Sequence, residues 1–106
     1  IPYREYLHAR LLKAVNQLGR HWQQCGRWEK AIDVWEAGIR RDALAESFYQ
    51  GLMLCNARLG EKSRALAVYE RCRKILSAAL DIGPSEETEA LKRSIFSDTK
   101  RTKSFY

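Results

Sequence analysis

Histidine and cysteine side chains are the residues of this sequence that could act as metal ligands or nucleophiles. The histidines are His8 and His21, and we find no cysteine or carboxylate at ligand spacing beside either of them. The cysteines, Cys25, Cys55 and Cys72, are odd in number and widely spaced, without the short C-x-x-C pairs of a zinc site. Structural histidines and reduced thiols are the expected roles, and reactive thiols are the alternative. We therefore predict a protein that is not an enzyme and that holds no metal and no cofactor.

The basic residues point to a different function, because a net charge of +6 is typical of nucleic-acid-binding domains. Residues 92–106 hold five Lys or Arg and one Asp, so this polar stretch carries +4 and the rest of the chain about +2. A phosphate-binding face would concentrate its basic residues on the folded part of the chain. We therefore expect weak, nonspecific attraction to DNA at most.

An internal repeat of 34 residues positions these side chains. Shifting the sequence by that distance pairs residues of like type: Leu18 with Leu52, Gly26 with Gly60, Ala31 with Ala65, Val34 with Val68, and Trp35 with Tyr69. The glycines fall where one helix must end and the chain must reverse, which favours a residue tolerant of positive φ. The alanines allow two helices to approach closely, and the rings follow four residues later on the same helix face. One such unit cannot bury its apolar stripe alone, so neighbouring units must stack.

The periodicity predicts an all-α fold of five helices. Their expected bounds are residues 3–24, 28–41, 45–59, 62–80 and 85–96. Val15, Leu18 and Trp22 form the expected buried stripe of the first helix. Ser85 is a good N-cap for the fifth helix, which follows the helix-breaking residues 82–84. We expect residues 1–96 to form one domain and residues 97–106 to be a flexible basic tail.

The period and its residues resemble the tetratricopeptide repeat. The first copy reads V-x2-L-G-x2-W from Val15 and A-x3-W from Ala31, and the second reads Y-x2-L-M-x2-N from Tyr49 and A-x3-Y from Ala65. The repeat's usual first tryptophan, final tyrosine and proline are not all kept, so the copies are divergent. The resemblance implies a tetratricopeptide-like α-α superhelix, with two divergent repeats plus a C-terminal helix.

Residues 42–53, 65–73 and 80–91 carry a narrower resemblance that covers nearly the whole chain. They look like the bacterial transcriptional activator domain, the helical module of activators related to antibiotic-pathway regulators. The family's motif ahead of its final helix is kept at Pro84, Ser85, Glu87, Thr88 and Leu91, and departs at Asp81, Gly83 and Glu86. The resemblance implies that this chain is a fragment of a longer protein, in which a separate DNA-binding domain, usually a winged helix, comes first. It also implies that the first helices of the activator domain are absent.

The position of each residue within the repeat assigns a concave face to the first helix of each pair. The expected partner-binding residues on this face are Lys13, Asn16, Arg20, Gln23, Gln24, Gln50, Leu54 and Arg58. Such a polar, mildly positive surface suits an acidic or C-terminal peptide segment. The two-carboxylate clamp of chaperone-binding repeats is absent, because Asn16, Arg20 and Gly51 stand at its positions. A solvated groove without a peptide ligand is the alternative.

These observations favour a regulatory, protein-interaction module of a cytoplasmic bacterial transcription activator. It would position a DNA-binding domain, self-associate on tandem sites or contact the transcription machinery, with DNA touched only through another domain and no membrane involved. Around Tyr3, Tyr6 and Leu7 we expect exposed apolar surface that favours dimerisation. The alternatives are a generic tetratricopeptide scaffold that binds a protein or peptide in a non-transcriptional assembly, and a domain that contacts DNA directly.

Overall fold

The protein is a stack of α-helices in which each helix packs on the next along the chain. The computed structural model describes the backbone of residues 2–104 and the side chains of residues 2–97. Five helices occupy that part of the chain: α1 (Tyr3–Gln24), α2 (Trp28–Arg41), α3 (Glu46–Arg58), α4 (Lys62–Leu80) and α5 (Glu86–Ser104). In addition, α1 touches α3, and α5 packs on both α3 and α4. The prediction of an all-α, tetratricopeptide-like module is confirmed.

The observed helix bounds agree closely with the bounds predicted from the sequence, except at the C-terminal end of α5. The bounds predicted for α1, α2 and α4 are confirmed, and α3 begins and ends one residue inside its predicted range. The fifth helix runs past the predicted end at residue 96 and reaches Ser104. Residues 97–104 contain no Pro or Gly, so the sequence has no helix breaker after residue 96. The flexibility predicted for residues 97–106 stays a prediction, and residues 105 and 106 lie outside the described backbone.

The two glycine turns have the same geometry, 34 residues apart. Gly26 and Gly60 have φ of 72° and 79°, a left-handed conformation that a side chain would disfavour. At the first turn, Gly26 N–H donates to the Gln23 carbonyl at 3.0 Å and Arg27 N–H to the Trp22 carbonyl at 2.9 Å. The turn at Gly60 repeats both bonds at 3.1 and 2.8 Å. This paired bonding is the Schellman motif, which satisfies the last carbonyls of a helix while the chain reverses.

The core lies between α2, α3 and α4, where the repeat-equivalent rings of Trp35 and Tyr69 are both buried. Ala31 and Ala65, one helical turn before these rings, are completely buried, as the repeat predicts. In contrast, the prediction that Leu18 is buried is wrong, since 48% of it is exposed while its equivalent, Leu52, is 1% exposed. The reason is that α2 and α4 both pack on α3, whereas among the described helices α1 packs on α2 and touches α3.

The Trp35 indole lies in a slot between two glycines on different helices. A Cβ built on Gly19 of α1 or on Gly51 of α3 would stand 2.6 Å from an atom of the indole ring, well inside van der Waals contact. The ring also lies 6.0 Å from the Phe48 ring, centroid to centroid, at a tilt of 36°. Both glycines are therefore required by the close approach of α1 and α3 to the same ring.

The carboxylate of Glu46 holds the start of α5 against α3. It accepts hydrogen bonds from the Ser85 N–H and hydroxyl, both at 2.8 Å, and from the Thr88 hydroxyl. Thr88 is fully buried and accepts a further bond from the side-chain amide of Gln50 at 2.9 Å. The predicted N-cap is confirmed, because the Ser85 hydroxyl oxygen accepts from the Thr88 N–H at 3.4 Å. Burial alone would raise the pKa of Glu46, but these hydrogen bonds lower it below its usual value of 4.5.

We predict that Gly51→Ala lowers the free energy of unfolding by about 1–2 kcal/mol. Alanine gains about 1 kcal/mol over glycine inside a helix, but its methyl group would overlap a Trp35 ring that Gly19 blocks on the opposite side. Urea unfolding measures the difference. Gly83→Ala is the matched control, because nothing lies within 4 Å of a Cβ at Gly83. A stabilised Gly51→Ala protein would show that no such slot exists.

We predict that Glu46→Gln destabilises the protein by about 1–2 kcal/mol at neutral pH and by less in acid. The folded-state pKa of Glu46 is lowered, so its contribution is present above its unfolded value and is lost as the pH falls through the folded value. Urea unfolding of both proteins at pH 7 and at about pH 3.5 measures the difference. Glu87→Gln, at an exposed position on α5, is the control and should show a smaller gap at pH 7. An equal gap for Glu46→Gln at the two pH values would contradict the assignment.

Candidate functional site

The predicted concave face forms a groove of about 180 Å³ between α1, α3 and α5. Its lining includes Asn16, Arg20, Gln23, Gln50 and Leu54 of the predicted set, whereas Lys13, Gln24 and Arg58 lie outside it. The sequence did not identify Ser47 and Leu91, which also line the groove. Leu91 belongs to α5, so the C-terminal helix closes part of a surface that a two-repeat array would leave open.

Two of the predicted groove residues form hydrogen bonds that join one helix to another. Gln23 Nε2 donates to the Gly51 carbonyl at 3.2 Å and to the Cys55 sulfur at 3.3 Å, which ties α1 to α3. Gln50 Nε2 donates to the Thr88 hydroxyl, which ties α3 to α5. A ligand could use these amide N–H groups only by breaking the bonds between helices.

The remaining polar groups of the groove are less completely paired. Asn16 Nδ2 donates to the Leu12 carbonyl at 3.1 Å, and this bond leaves the buried Oδ1 without a hydrogen-bond partner. Trp35 Nε1 is also buried, and its neighbour among the described residues is the Cys55 thiol. Arg20, one helical turn after Asn16, is exposed and forms no ion pair within the described residues. Within the described part of the chain, the groove therefore presents the unpaired Arg20 guanidinium at its mouth and the unpaired Asn16 Oδ1 at its floor.

The predicted face residues outside the groove are more dispersed. Lys13 and Gln24 are exposed on α1. The Arg58 guanidinium lies 5.8 Å from the centroid of the Trp28 ring, a cation–π distance, so it covers an aromatic surface at the turn between α1 and α2. The structure thus brings together one part of the predicted set around Asn16 and Arg20, and whether a partner binds there stays a prediction.

A second, more apolar surface was not identified from the sequence. We call it the end face: a groove of about 440 Å³ lined by residues of α1 and α2. Its lining consists of Leu11, Ala14, Val15, Leu18, Val34, Ala37 and Gly38, with Asp33 and Arg41 at its rim. The 34-residue repeat could have identified it. Leu18 and Val34 of the end face pair with Leu52 and Val68, which belong to α3 and α4.

The first turns of α1 also carry exposed apolar side chains. Tyr3, Tyr6 and Leu7 are all exposed, as the sequence predicts. Gly19 is the one fully buried residue along the 22 residues of α1. A helix of this length with so little buried surface presents most of its apolar side chains to a partner or to water.

The thiols and imidazoles differ in one respect from the sequence analysis. The prediction that no cysteine or carboxylate stands at ligand spacing beside either histidine is wrong, because Cys25 Sγ lies 3.8 Å from His21 Nε2 and Asp42 Oδ2 lies 3.0 Å from His8 Nε2. Cys55 and Cys72 are buried, and burial raises the pKa of both thiols, that of Cys72 to about 12. Thiols with raised pKa values stay protonated and are poor nucleophiles.

Among the described residues, no group of three or more His, Cys, Asp or Glu side chains could hold a metal ion. None of the described helices combines the length and the apolar character needed to span a membrane.

Comparison with known proteins identifies the family. The family model of the bacterial transcriptional activator domain matches residues 2–96, which is most of the chain. No curated protein and no solved structure matched the sequence. The matched residues include both repeats, both glycine turns and the Ser85 cap of α5. The chain therefore belongs to the bacterial transcriptional activator domain family.

Proposed function

We propose that this chain is the protein-interaction module of a transcription activator, and that another domain of the parent protein binds DNA. The observation that carries the proposal is the contrast between repeat-equivalent leucines, because Leu18 is 48% exposed and Leu52 is 1% exposed. The same repeat position is therefore buried in the core in the second repeat and exposed to solvent in the first. Contiguous exposed apolar surfaces of this kind mark sites of protein–protein contact. Function would then arise from surface complementarity, without covalent chemistry and without a cofactor.

The distribution of positive charge supports an indirect role in DNA binding. On α4, Arg71 pairs with Glu36 at 3.2 Å and Arg73 with Glu70 at 2.8 Å, so carboxylates neutralise both guanidinium groups. Lys92 lies 4.5 Å from the centroid of the Tyr69 ring, which is a further contact within the fold. Cations that are already paired attract phosphates weakly, because binding DNA would require exchanging one partner for another.

The groove around Asn16 and Arg20 provides a second contact surface for the same function. Arg20 is the cation at its mouth, so the groove favours a carboxylate on the partner. Its volume of about 180 Å³ suits a side chain or a chain terminus better than a folded domain. We therefore assign the larger apolar contact to the end face and a polar, orienting contact to this groove.

We predict that the chain changes reporter expression when fused to a heterologous DNA-binding domain that binds its operator only as a dimer. Self-association would give repression from an operator that overlaps the promoter, and contact with the transcription machinery would give activation from an upstream operator. Leu18→Arg should reduce the response, because it places a charge on the end face. Leu80→Arg is the matched control, because Leu80 is 50% exposed and lies outside that groove. No response at either operator from a well-expressed fusion would refute the proposal.

We predict that the chain alone binds random duplex DNA no more tightly than weak nonspecific association at about 150 mM salt. Residues 1–91 carry a net charge of only about +2, and carboxylates pair with the guanidinium groups of Arg71 and Arg73 on α4. A fluorescence anisotropy titration at several salt concentrations measures the affinity, and the same chain shortened to residues 1–96 shows how much residues 97–106 contribute. Roughly micromolar or tighter binding by the shortened chain would favour direct DNA contact instead.

A further inference from the structure

An apolar pocket of about 160 Å³ lies between α4 and α5, and Met53 of α3 contributes to its lining. We call it the α4–α5 pocket, and all three helices around it belong to the described chain. Its other apolar lining residues are Ala65, Leu66, Tyr69, Ile95 and Phe96. Lys62 and Lys92 also line it, are half-buried, and form no ion pair within the described residues. The pocket therefore combines an apolar lining with two ammonium groups.

The 34-residue repeat shows that the α4–α5 pocket takes the place of an aromatic ring. Lys62 corresponds to Trp28 of the first repeat, and Lys92 corresponds to Arg58. The Trp28 ring is half-buried against the core, and the Arg58 guanidinium lies 5.8 Å from its centroid. In the second repeat a lysine replaces this tryptophan, whereas a cation is kept at the other position. The pocket is therefore the equivalent of a site that holds an aromatic ring beside a cation.

The volume of the pocket indicates that it holds one side chain of a larger partner. An apolar cavity of roughly 150 Å³ accommodates one benzene ring, whereas sites for small molecules usually measure about 300–1,000 Å³. Leu66 is 38% exposed and Phe96 is 43% exposed, so apolar surface continues from the pocket to the outside of the protein. A buried aromatic anchor surrounded by weaker apolar contacts is how many protein interfaces are built. An aromatic residue within a protein segment therefore fits better than a free small molecule.

The charges around the pocket indicate what should flank that aromatic residue. In the first repeat Glu29 directly follows Trp28, whereas Ser63 stands at the equivalent position of the second repeat. Among the described residues, the lining of the pocket includes no carboxylate. Acidic residues beside a partner's ring would therefore meet the ammonium groups of Lys62 and Lys92, which favours charge-assisted hydrogen bonds.

The chain's own C-terminal rings, Phe105 and Tyr106, are poorly placed to fill the pocket. Helix α5 continues to Ser104, and at 1.5 Å per residue it carries the chain about 12 Å beyond Phe96. A following segment would have to turn back along α5 to reach the pocket. Residues 97–106 hold three Lys or Arg and one Asp, so this segment has the same sign of charge as the two lysines of the pocket.

We propose that the α4–α5 pocket binds an aromatic side chain of a partner protein, in a segment where acidic residues flank that side chain. The ring enters at the position that Trp28 takes in the first repeat, beside the ammonium group of Lys92. The flanking carboxylates pair with Lys62 and Lys92. This inference goes beyond the proposed function, because it assigns a partner of stated chemistry to a surface that the function does not use.

Two-dimensional NMR of the complete, isotope-labelled chain with an end-capped peptide of sequence DDWDD tests the proposal. We expect saturable shift changes confined to residues around the α4–α5 pocket, with a dissociation constant in the high micromolar range. The peptide DDADD lacks the ring and KKWKK reverses the charges, so each should bind at least about tenfold more weakly. Absence of saturable shifts around the pocket with DDWDD at about 2 mM, or equally tight binding of either control peptide, would overturn the proposal.

Two variants of the chain test the pocket from within. Lys62→Trp should abolish binding of DDWDD and raise the urea midpoint of unfolding, because it restores the ring that the first repeat has at this position. Lys92→Glu should weaken binding at least about tenfold, since it replaces an attraction with a repulsion. Lys74→Glu, at an exposed position of α4 outside the pocket, is the matched control and should change the affinity less than about twofold. Wild-type affinity in either pocket variant would contradict the proposal, and Lys92→Glu decides if Lys62→Trp does not fold.

Other occupants of the pocket would give different results. If the chain's own C-terminal rings fill it, replacing both by Phe105→Ser and Tyr106→Ser should tighten binding of DDWDD at least about tenfold. If a small aryl acid is the ligand, indole-3-propionate should bind as tightly as DDWDD. Either result would overturn the proposal, and unchanged affinity in the doubly substituted chain together with weaker binding of indole-3-propionate would support it.

The peptide and reporter experiments separate the failure of this inference from the failure of the proposed function. A chain that gives a reporter response but does not bind DDWDD would keep the proposed function and lose the pocket. A chain that binds DDWDD at the pocket but gives no reporter response at either operator would support the pocket and contradict the proposed function.

Discussion

The close approach of two glycines to the Trp35 indole is the constraint on which the rest of the structure depends. Gly19 of α1 and Gly51 of α3 bound the ring on two sides, so one side chain of α2 sets the spacing of three helices. Because α1 and α3 are the first helices of successive repeats, this contact also sets how one repeat stacks on the next. Gln23, which bonds across to Gly51 and Cys55, lies close to the same contact and holds α1 in register with α3.

The two ends of the stack are completed by different means. At the C-terminal end, α5 packs on α3 and α4, and polar contacts from Glu46 to Thr88 and from Tyr69 to Glu89 hold it there. Burial, together with the hydrogen bond to Glu89, raises the pKa of Tyr69 to about 12, so this phenol remains a donor. The N-terminal end has no comparable cover among the described residues. The end face therefore remains an apolar surface with a charged rim.

This asymmetry connects the fold with membership of the bacterial transcriptional activator domain family. A repeat array buries its core through neighbouring repeats, so an unfinished end has the same apolar character as an internal junction. Under the proposed function, a protein partner binds on such an apolar surface. The concave groove is different, because the Gln23 and Gln50 amides are bonded within the fold, and Arg20 forms no ion pair within the described residues. Association through the end and orientation through the groove are compatible roles for one small module.

The sequence by itself determined the helices and their turns, because those features depend on residues close together in the chain. Gly26 and Gly60 ended helices, Ser85 began one, and a 34-residue period placed Trp35 and Tyr69 at equivalent positions. Only the tertiary structure decided which surfaces are covered, since that depends on which helix lies beside which. For this reason Leu18, which matches the buried Leu52 in sequence, proved to be exposed, and two glutamines predicted for a partner bind the protein's own backbone and side chains.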